Sequence, residues 1–260
     1  MVGVALGYGF SLAVTDAGTV FFFGESGDGA LGHGLSMSEV LPRRIEALAG
    51  MGWRFVAVAA CGYHALALTE EGQVYGWGDG FANGHGQNQP TPQLVAALAG
   101  IRVLLVYAQG VSSCAVTEKG ELFTWGRDYF GSFKLGHGVA APQRTPKRVE
   151  ALRGVKVAAA AICDRHTLVA GEDGVVWGFG DRAALGLSAA NAPPGQFVVQ
   201  PTPIPNLRVR TLPQVSRPIA RDGRMRGLVF VCIYNCTAFL ASRVVWLQAA
   251  AGGACEDGTF

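Results

Sequence analysis

Four times along the chain an apolar run breaks at a short polar turn and resumes as a second apolar run rich in aromatics. The segments are FSLAVTDAGTVFFFG (10–24), HALALTEEGQVYGWG (64–78), SCAVTEKGELFTWG (113–126) and HTLVAGEDGVVWGFG (166–180). Each predicts a β-hairpin, in which glycine supplies the positive φ that the tight turn needs. The turn glycines Gly18, Gly72, Gly120 and Gly174 follow one another at 54, 48 and 54 residues, and each aromatic-Gly pair (Phe23-Gly24, Trp77-Gly78, Trp125-Gly126, Phe179-Gly180) ends six residues after its turn glycine.

A third strand is predicted from the apolar runs before the hairpins, Phe55 to Ala60, Ile101 to Tyr107 and Val155 to Ile162. The proline-led pieces Pro42 to Ile45, Pro92 to Val95 and Pro146 to Val149 predict a short fourth, since a residue without an amide hydrogen belongs on a sheet edge. Four-stranded sheets repeated at about 50 residues are what a radial propeller uses. The apolar stretch from Met1 to Val14 is expected to be a strand. It has neither a basic leader nor an A-x-A-like cleavage site, which argues against a secretory signal.

Composition narrows the class. Of 260 residues half are apolar and 15% charged, with a net charge of only +2, which excludes disorder. The 37 glycines lack the triplet period of collagen and so punctuate short strands, making the fold all-β. Six cysteines, at 61, 114, 163, 232, 236 and 255, form no C-x-x-C pair. A zinc ribbon or thioredoxin-type site is therefore not expected, and the reading is an intracellular protein with reduced thiols, cytoplasmic or nuclear.

The repeated order of apolar strand, a histidine eight residues before the turn glycine (His64, His166), acidic turn, aromatic-Gly pair and closing Leu-Gly-His-Gly (31–34 and 135–138) resembles the regulator of chromosome condensation repeat. Blade 2 carries Asn83-Gly84-His85-Gly86 there, and blade 4 keeps only Leu185-Gly186. The likeness covers residues 1–207, with repeats at about 1–50, 51–100, 101–154 and 155–207. It implies a β-propeller, usually of seven blades. Beyond it, 208–260 reads as a degenerate or truncated repeat, in which Val231 to Trp246 resembles a blade with a hairpin between Leu240 and Arg243. Seven units would take about 350 residues at this period, so the expected fold is a propeller of four clear blades plus one degenerate blade, incomplete or open relative to a seven-bladed ring.

Recurrence assigns most of the candidate chemistry to structure. All five histidines fall on repeat positions, His64 and His166 before the turns and His33, His85 and His137 in the closing loops, whereas a metal would need three or four ligands converging on one point. Gly27-Asp28-Gly29-Ala30-Leu31-Gly32 spells G-x-G-x-x-G, but no helix pattern follows to face a pyrophosphate. Asp16, Glu70, Glu71, Glu118, Glu172 and Asp173 occupy the same turn in successive blades and are expected in water. Phe23, Trp77, Trp125 and Phe179 are expected to pack between blades. No catalytic constellation, cofactor or metal site is expected.

Three features escape the repeat. Arg208, Arg210, Arg217, Arg221, Arg224 and Arg226 stand against Asp222 alone, yet without interleaved aromatics they read as a basic linker, and nucleic acid is not an expected partner. Gly227 to Ser242 carries no charge, but at sixteen residues with Asn235 inside it reads as a buried strand pair rather than a membrane span. The loop after Trp125-Gly126 is longer than its blade 2 counterpart. Its residues Arg127, Asp128, Tyr129, Phe130 and Lys134 are the candidate partner contacts, since loops on a rigid scaffold carry recognition and Arg and Tyr are enriched in interface hot spots. The functional expectation is a non-enzymatic protein-binding module or scaffold. The family likeness implies as alternatives a guanine nucleotide exchange factor for a Ran-type small GTPase or the propeller part of a ubiquitin ligase, with a small GTPase, a histone or a ubiquitin-pathway component as partner.

Overall fold

A computed structural model describes residues 3–35, 37–128, 131–187, 195–209, 228–233 and 236–241. Its core is four antiparallel sheets of four strands, each in simple chain order. Blade 1 holds β1 (Gly3–Leu6), β2 (Phe10–Val14), β3 (Val20–Gly24) and β4 (Glu39–Arg44). Blade 2 holds β5 (Phe55–Cys61), β6 (His64–Thr69), β7 (Val74–Gly78) and β8 (Gln89–Leu94). Blade 3 holds β9 (Val103–Gln109), β10 (Ser112–Thr117), β11 (Leu122–Gly126) and β12 (Gln143–Arg148). Blade 4 holds β13 (Val157–Ile162), β14 (His166–Gly171), β15 (Val175–Asp181) and β16 (Phe197–Arg208).

The first strands of successive blades lie side by side and the fourth strands form the outer edges. The outer strands take the prolines (Pro42, Pro90, Pro92, Pro146), which cost nothing where no further strand needs an amide. The period of two along each strand aims alternate residues at the two neighbouring blades. In β6, Ala65 and Ala67 face blade 1 together with Tyr75 and Trp77, while Leu66 and Leu68 face blade 3 and pack with Phe123 and Trp125. Small residues on one face and large ones on the other let each seam close on a buried aromatic.

Met1 to Val14 departs from the single strand expected of it. The chain reverses over Gly7–Gly9, with the Gly7 amide donating to the Phe10 carbonyl at 2.8 Å, so the stretch gives two paired strands. The face of blade 1 turned away from blade 2 has no sheet against it among the described residues, and Val4 and Leu6 there are 64% and 69% exposed. Phe23, on the same face, is accordingly only half-buried and does not join a seam. Among the described residues the sheets form an open array rather than a closed ring.

The uncharged stretch after residue 227 supplies β17 (Leu228–Ile233) and β18 (Cys236–Ala241), an antiparallel pair in register Ile233 with Cys236. The reversal of this pair thus falls between Ile233 and Cys236, while the hairpin expected between Leu240 and Arg243 runs out of the described residues. Leu240 lies within β18, and Arg243 lies outside the described residues. The backbone of β17 runs beside β13, where the first strand of a further blade would lie. No helix among the described residues is long and apolar enough to cross a membrane. Cys61 and Cys114 are free, whereas Cys163 is disulfide-bonded, so the expectation of reduced thiols fails at that residue.

Candidate protein-binding face

Chain order gives each blade two unlike ends. One end carries the acidic turns between the second and third strands. The other carries the short turns between the first and second strands and the long loops between the third and fourth; we call it the loop end.

At the loop end the carbonyl at one repeat position, that of Ala30, Ala82 and Lys134, takes a donor from the next blade in each of three seams. The indole N–H groups of the buried Trp77 and Trp125 donate to the carbonyls of Ala30 and Ala82 in the preceding blade's loop, both at 2.7 Å. Blade 4 has Phe179 in that column, and the Thr167 hydroxyl donates to the Lys134 carbonyl instead, also at 2.7 Å. Buried carbonyls need a donor, and the sequence supplies one by either route. The Ser113 hydroxyl adds a bond to the Ala82 carbonyl at 2.9 Å, and His64 Nε2 lies 2.8 Å from the same hydroxyl. His64 is wholly buried, and burial holds its imidazole at about 3, so it is neutral at any ordinary pH. His85 and His137 turn their Nε2 atoms to the Gly76 carbonyl (3.1 Å) and the Thr124 hydroxyl (3.0 Å), and burial lowers both pKa values. The half-buried His33 has its Nε2 2.9 Å from the Met37 carbonyl, and His166 is half-buried with its pKa lowered by burial. Among the described residues no three His, Cys, Asp or Glu side chains converge as metal ligands. The G-x-G-x-x-G stretch forms the blade 1 loop and brings Gly32 against the Trp77 indole.

The candidate loop of blade 3 divides between inward and outward roles. Asp128 holds it together: Oδ1 accepts from the Ser132 hydroxyl at 2.7 Å and Oδ2 from the Phe133 amide at 3.0 Å. Lys134 points into the protein rather than at a partner. It stands in the column of Ala30 and Ala82, is fully buried, and its Nζ has no hydrogen-bond partner among the described residues. Burial lowers its pKa to about 8, against the opposing pull of Asp164, Asp128 and Cys61. The same blade carries the small Ser112 in the column that Phe10, His64 and His166 fill in the other blades. Arg127 faces blade 2, with its guanidinium carbon 3.4 Å from the centroid of the half-buried Phe81 ring. A second guanidinium, that of the exposed Arg144 on β12, lies 4.0 Å from the same centroid. Tyr129 and Phe130 lie outside the described residues.

Phe81 and Arg144 were not among the sequence candidates. The signal that finds them is positional: an arginine in blade 3 where the repeat columns of the other blades hold none.

Comparison with known proteins agrees with the repeat architecture. Models of the regulator of chromosome condensation (RCC1) repeat match residues 17–68 and 119–170, and a second model of that repeat matches 55–87. The chain belongs to the RCC1 repeat family. It is 35% identical over 188 residues to the human E3 ubiquitin-protein ligase HERC2, a match covering 70% of this chain and 4% of the ligase. It is 36% identical over 201 residues to the mitochondrial RCC1 domain-containing protein RUG3 of Arabidopsis thaliana, covering 72% of this chain and 44% of that protein. The chain thus spans less than half the length of either relative. The crystal structure of human WBSCR16 has the same fold, with a TM-score of 0.66 at 24% identity over 80% of this chain and 56% of that one. Within the RCC1 repeat framework, blade 3 carries arginines at two loop-end positions, 127 and 144, where the other blades have none.

Proposed function

We propose that this chain is a non-catalytic, intracellular protein-binding propeller module whose partner meets the loop end at the seam of blades 2 and 3. The observation that carries the reading is the meeting of Arg127 and Arg144 on Phe81. Aromatic and arginine side chains held in place are what protein interfaces use as anchors, because little conformational freedom is left to lose on binding. Similarity to the ubiquitin ligase HERC2 over 70% of the chain favours, as a second reading, the propeller part of a ubiquitin-pathway assembly. A histone or a small GTPase undergoing nucleotide exchange belongs to the same class of partner.

A photo-crosslinking amino acid placed at Val139, exposed in the blade 3 loop, or at Glu71, exposed in the opposite acidic turn, tests the choice of face. In cell extract the Val139 position is expected to capture discrete protein adducts and the Glu71 position none. Equal capture at both positions, or none at Val139, overturns the reading.

A further inference from the structure

Two columns of the repeat change character in blade 3 only. The residue after each aromatic-Gly pair is Glu25, Asp79 and Asp181 in blades 1, 2 and 4 but Arg127 in blade 3. In the outer strands Gln143, Glu39, Gln89 and Val198 pair with Gly126, Gly24, Gly78 and Gly180. The residue after each is Arg144 in blade 3, and Val40, Pro90 and Val199 elsewhere. Both exceptions reach the same ring, Phe81 of blade 2, at 3.4 and 4.0 Å.

Asp79 and Asp128 each brace a loop beside the cluster. Asp79 Oδ1 accepts the Phe81 amide at 3.0 Å, and both oxygens of Asp128 hold their own loop. Arg144 gives one hydrogen bond, from Nη1 to the Gly86 carbonyl at 3.2 Å, and has no carboxylate in ion-pair range among the described residues. Arg43, Arg44, Arg54, Arg102, Arg148 and Arg165 each have one. A guanidinium lying over a ring keeps its N–H edge outward, where it matches a carboxylate with two parallel bonds.

We propose that Arg144, held over Phe81 beside Arg127, anchors an acidic peptide segment of the protein partner, with a carboxylate on its guanidinium edge. This rests on the protein-binding reading above and adds the chemistry of what is bound. A nucleic acid fits less well: Glu25, Asp79, Asp128 and Asp164 interrupt the loop end, and a phosphate backbone needs a continuous basic track.

The test applies the full chain to an array of nine-residue peptides with Asp or Glu at three to five positions, the matching Asn and Gln array, and a nine-nucleotide DNA strand. The best peptides are then titrated by fluorescence anisotropy. Binding is expected from the acidic array alone. Arg144→Ala should weaken it about fivefold, Arg144→Glu should abolish it, and Arg43→Ala on blade 1 should leave it unchanged. Thermal midpoints of the variants confirm that the fold persists. Equal binding of the amide array, stronger binding of DNA, an empty acidic array, or indifference to Arg144→Glu overturns the proposal. An empty acidic array with Val139 crosslinks intact removes the acidic anchor alone, whereas loss of both removes the protein-binding reading as well.

Discussion

At the acidic-turn end, Gly18, Gly72, Gly120 and Gly174 accept the amides of Phe55, Val103, Val157 and Val209 at 2.9–3.2 Å, four versions of one contact. Arg54 and Arg102 each reach back to carbonyls of the preceding turn and meet an acid of their own blade's turn, Glu70 and Glu118, at 3.5 Å. At the loop end the same strands finish differently in every blade: the loops vary in length, the carbonyl donor switches from indole to hydroxyl, and blade 3 turns one basic residue inward and two toward blade 2. Repetition marks what every seam requires. Departure from it marks what only one seam does, and the two kinds of residue should fail in different ways when changed.

The largest effect is expected at the repeated end. Gly72 has φ +87°, and a Cβ there would lie 2.8 Å from the Val103 amide nitrogen and 2.7 Å from Arg102 Cγ. Gly72→Ala therefore combines backbone strain with a clash against the next blade's backbone and should cost about 2–5 kcal/mol of stability. Gly52→Ala is the control, with φ +73° but nothing within 4 Å, and should cost about 1 kcal/mol. Urea unfolding of the two variants checks the difference. Equal losses would mean that the turn glycines serve only their dihedral angle and not the seam.

The repeat was legible because glycine and proline punctuate it: each turn glycine needs positive φ and each outer strand tolerates proline, so strand order follows from the letters. The Gly7–Gly9 reversal was not, because no Asp, Asn or Pro accompanies its glycines in Met1–Val14. Lys134 was misread as a partner contact because a loop lysine normally faces water. Only column-by-column comparison shows that blade 3 pairs a small strand residue, Ser112, with a large loop residue, Lys134, where the other blades have the reverse. The Arg144–Phe81 approach joins two blades, which loop length within one blade does not report.

Lys134 gives the next effect and inverts the usual sign. Removing its buried, unpartnered ammonium while keeping its volume, as in Lys134→Met, should stabilise the protein by about 1–3 kcal/mol at pH 7. Its pKa is near 8 in the folded state and 10.5 when exposed, so below pH 8 both states hold the proton and the penalty is complete. Between pH 8 and 10.5 the folded state loses its proton first, and the original chain gains stability as pH rises. The advantage of the methionine variant should shrink across that window in denaturant titrations. A gap that stayed constant would show that the folded protein does not hold the ammonium at a lowered pKa.

The smallest effects separate the two ends most cleanly. Arg102 and Arg144 are both exposed arginines over the neighbouring blade, but Arg102 meets the Glu118 carboxylate and the Glu70 and Glu71 carbonyls, whereas Arg144 meets a ring and a single carbonyl. Arg102→Gln should lower stability by about 0.5 kcal/mol or less, an effect that fades with added salt because the pair is solvated and screened. It should leave acidic-peptide binding untouched. Arg144→Gln should do the reverse, moving unfolding within error and weakening the peptide. Measuring both quantities on both variants gives four outcomes. Binding lost in both variants would make the chain's general positive charge, rather than the seam of blades 2 and 3, the source of any attraction to acidic peptides.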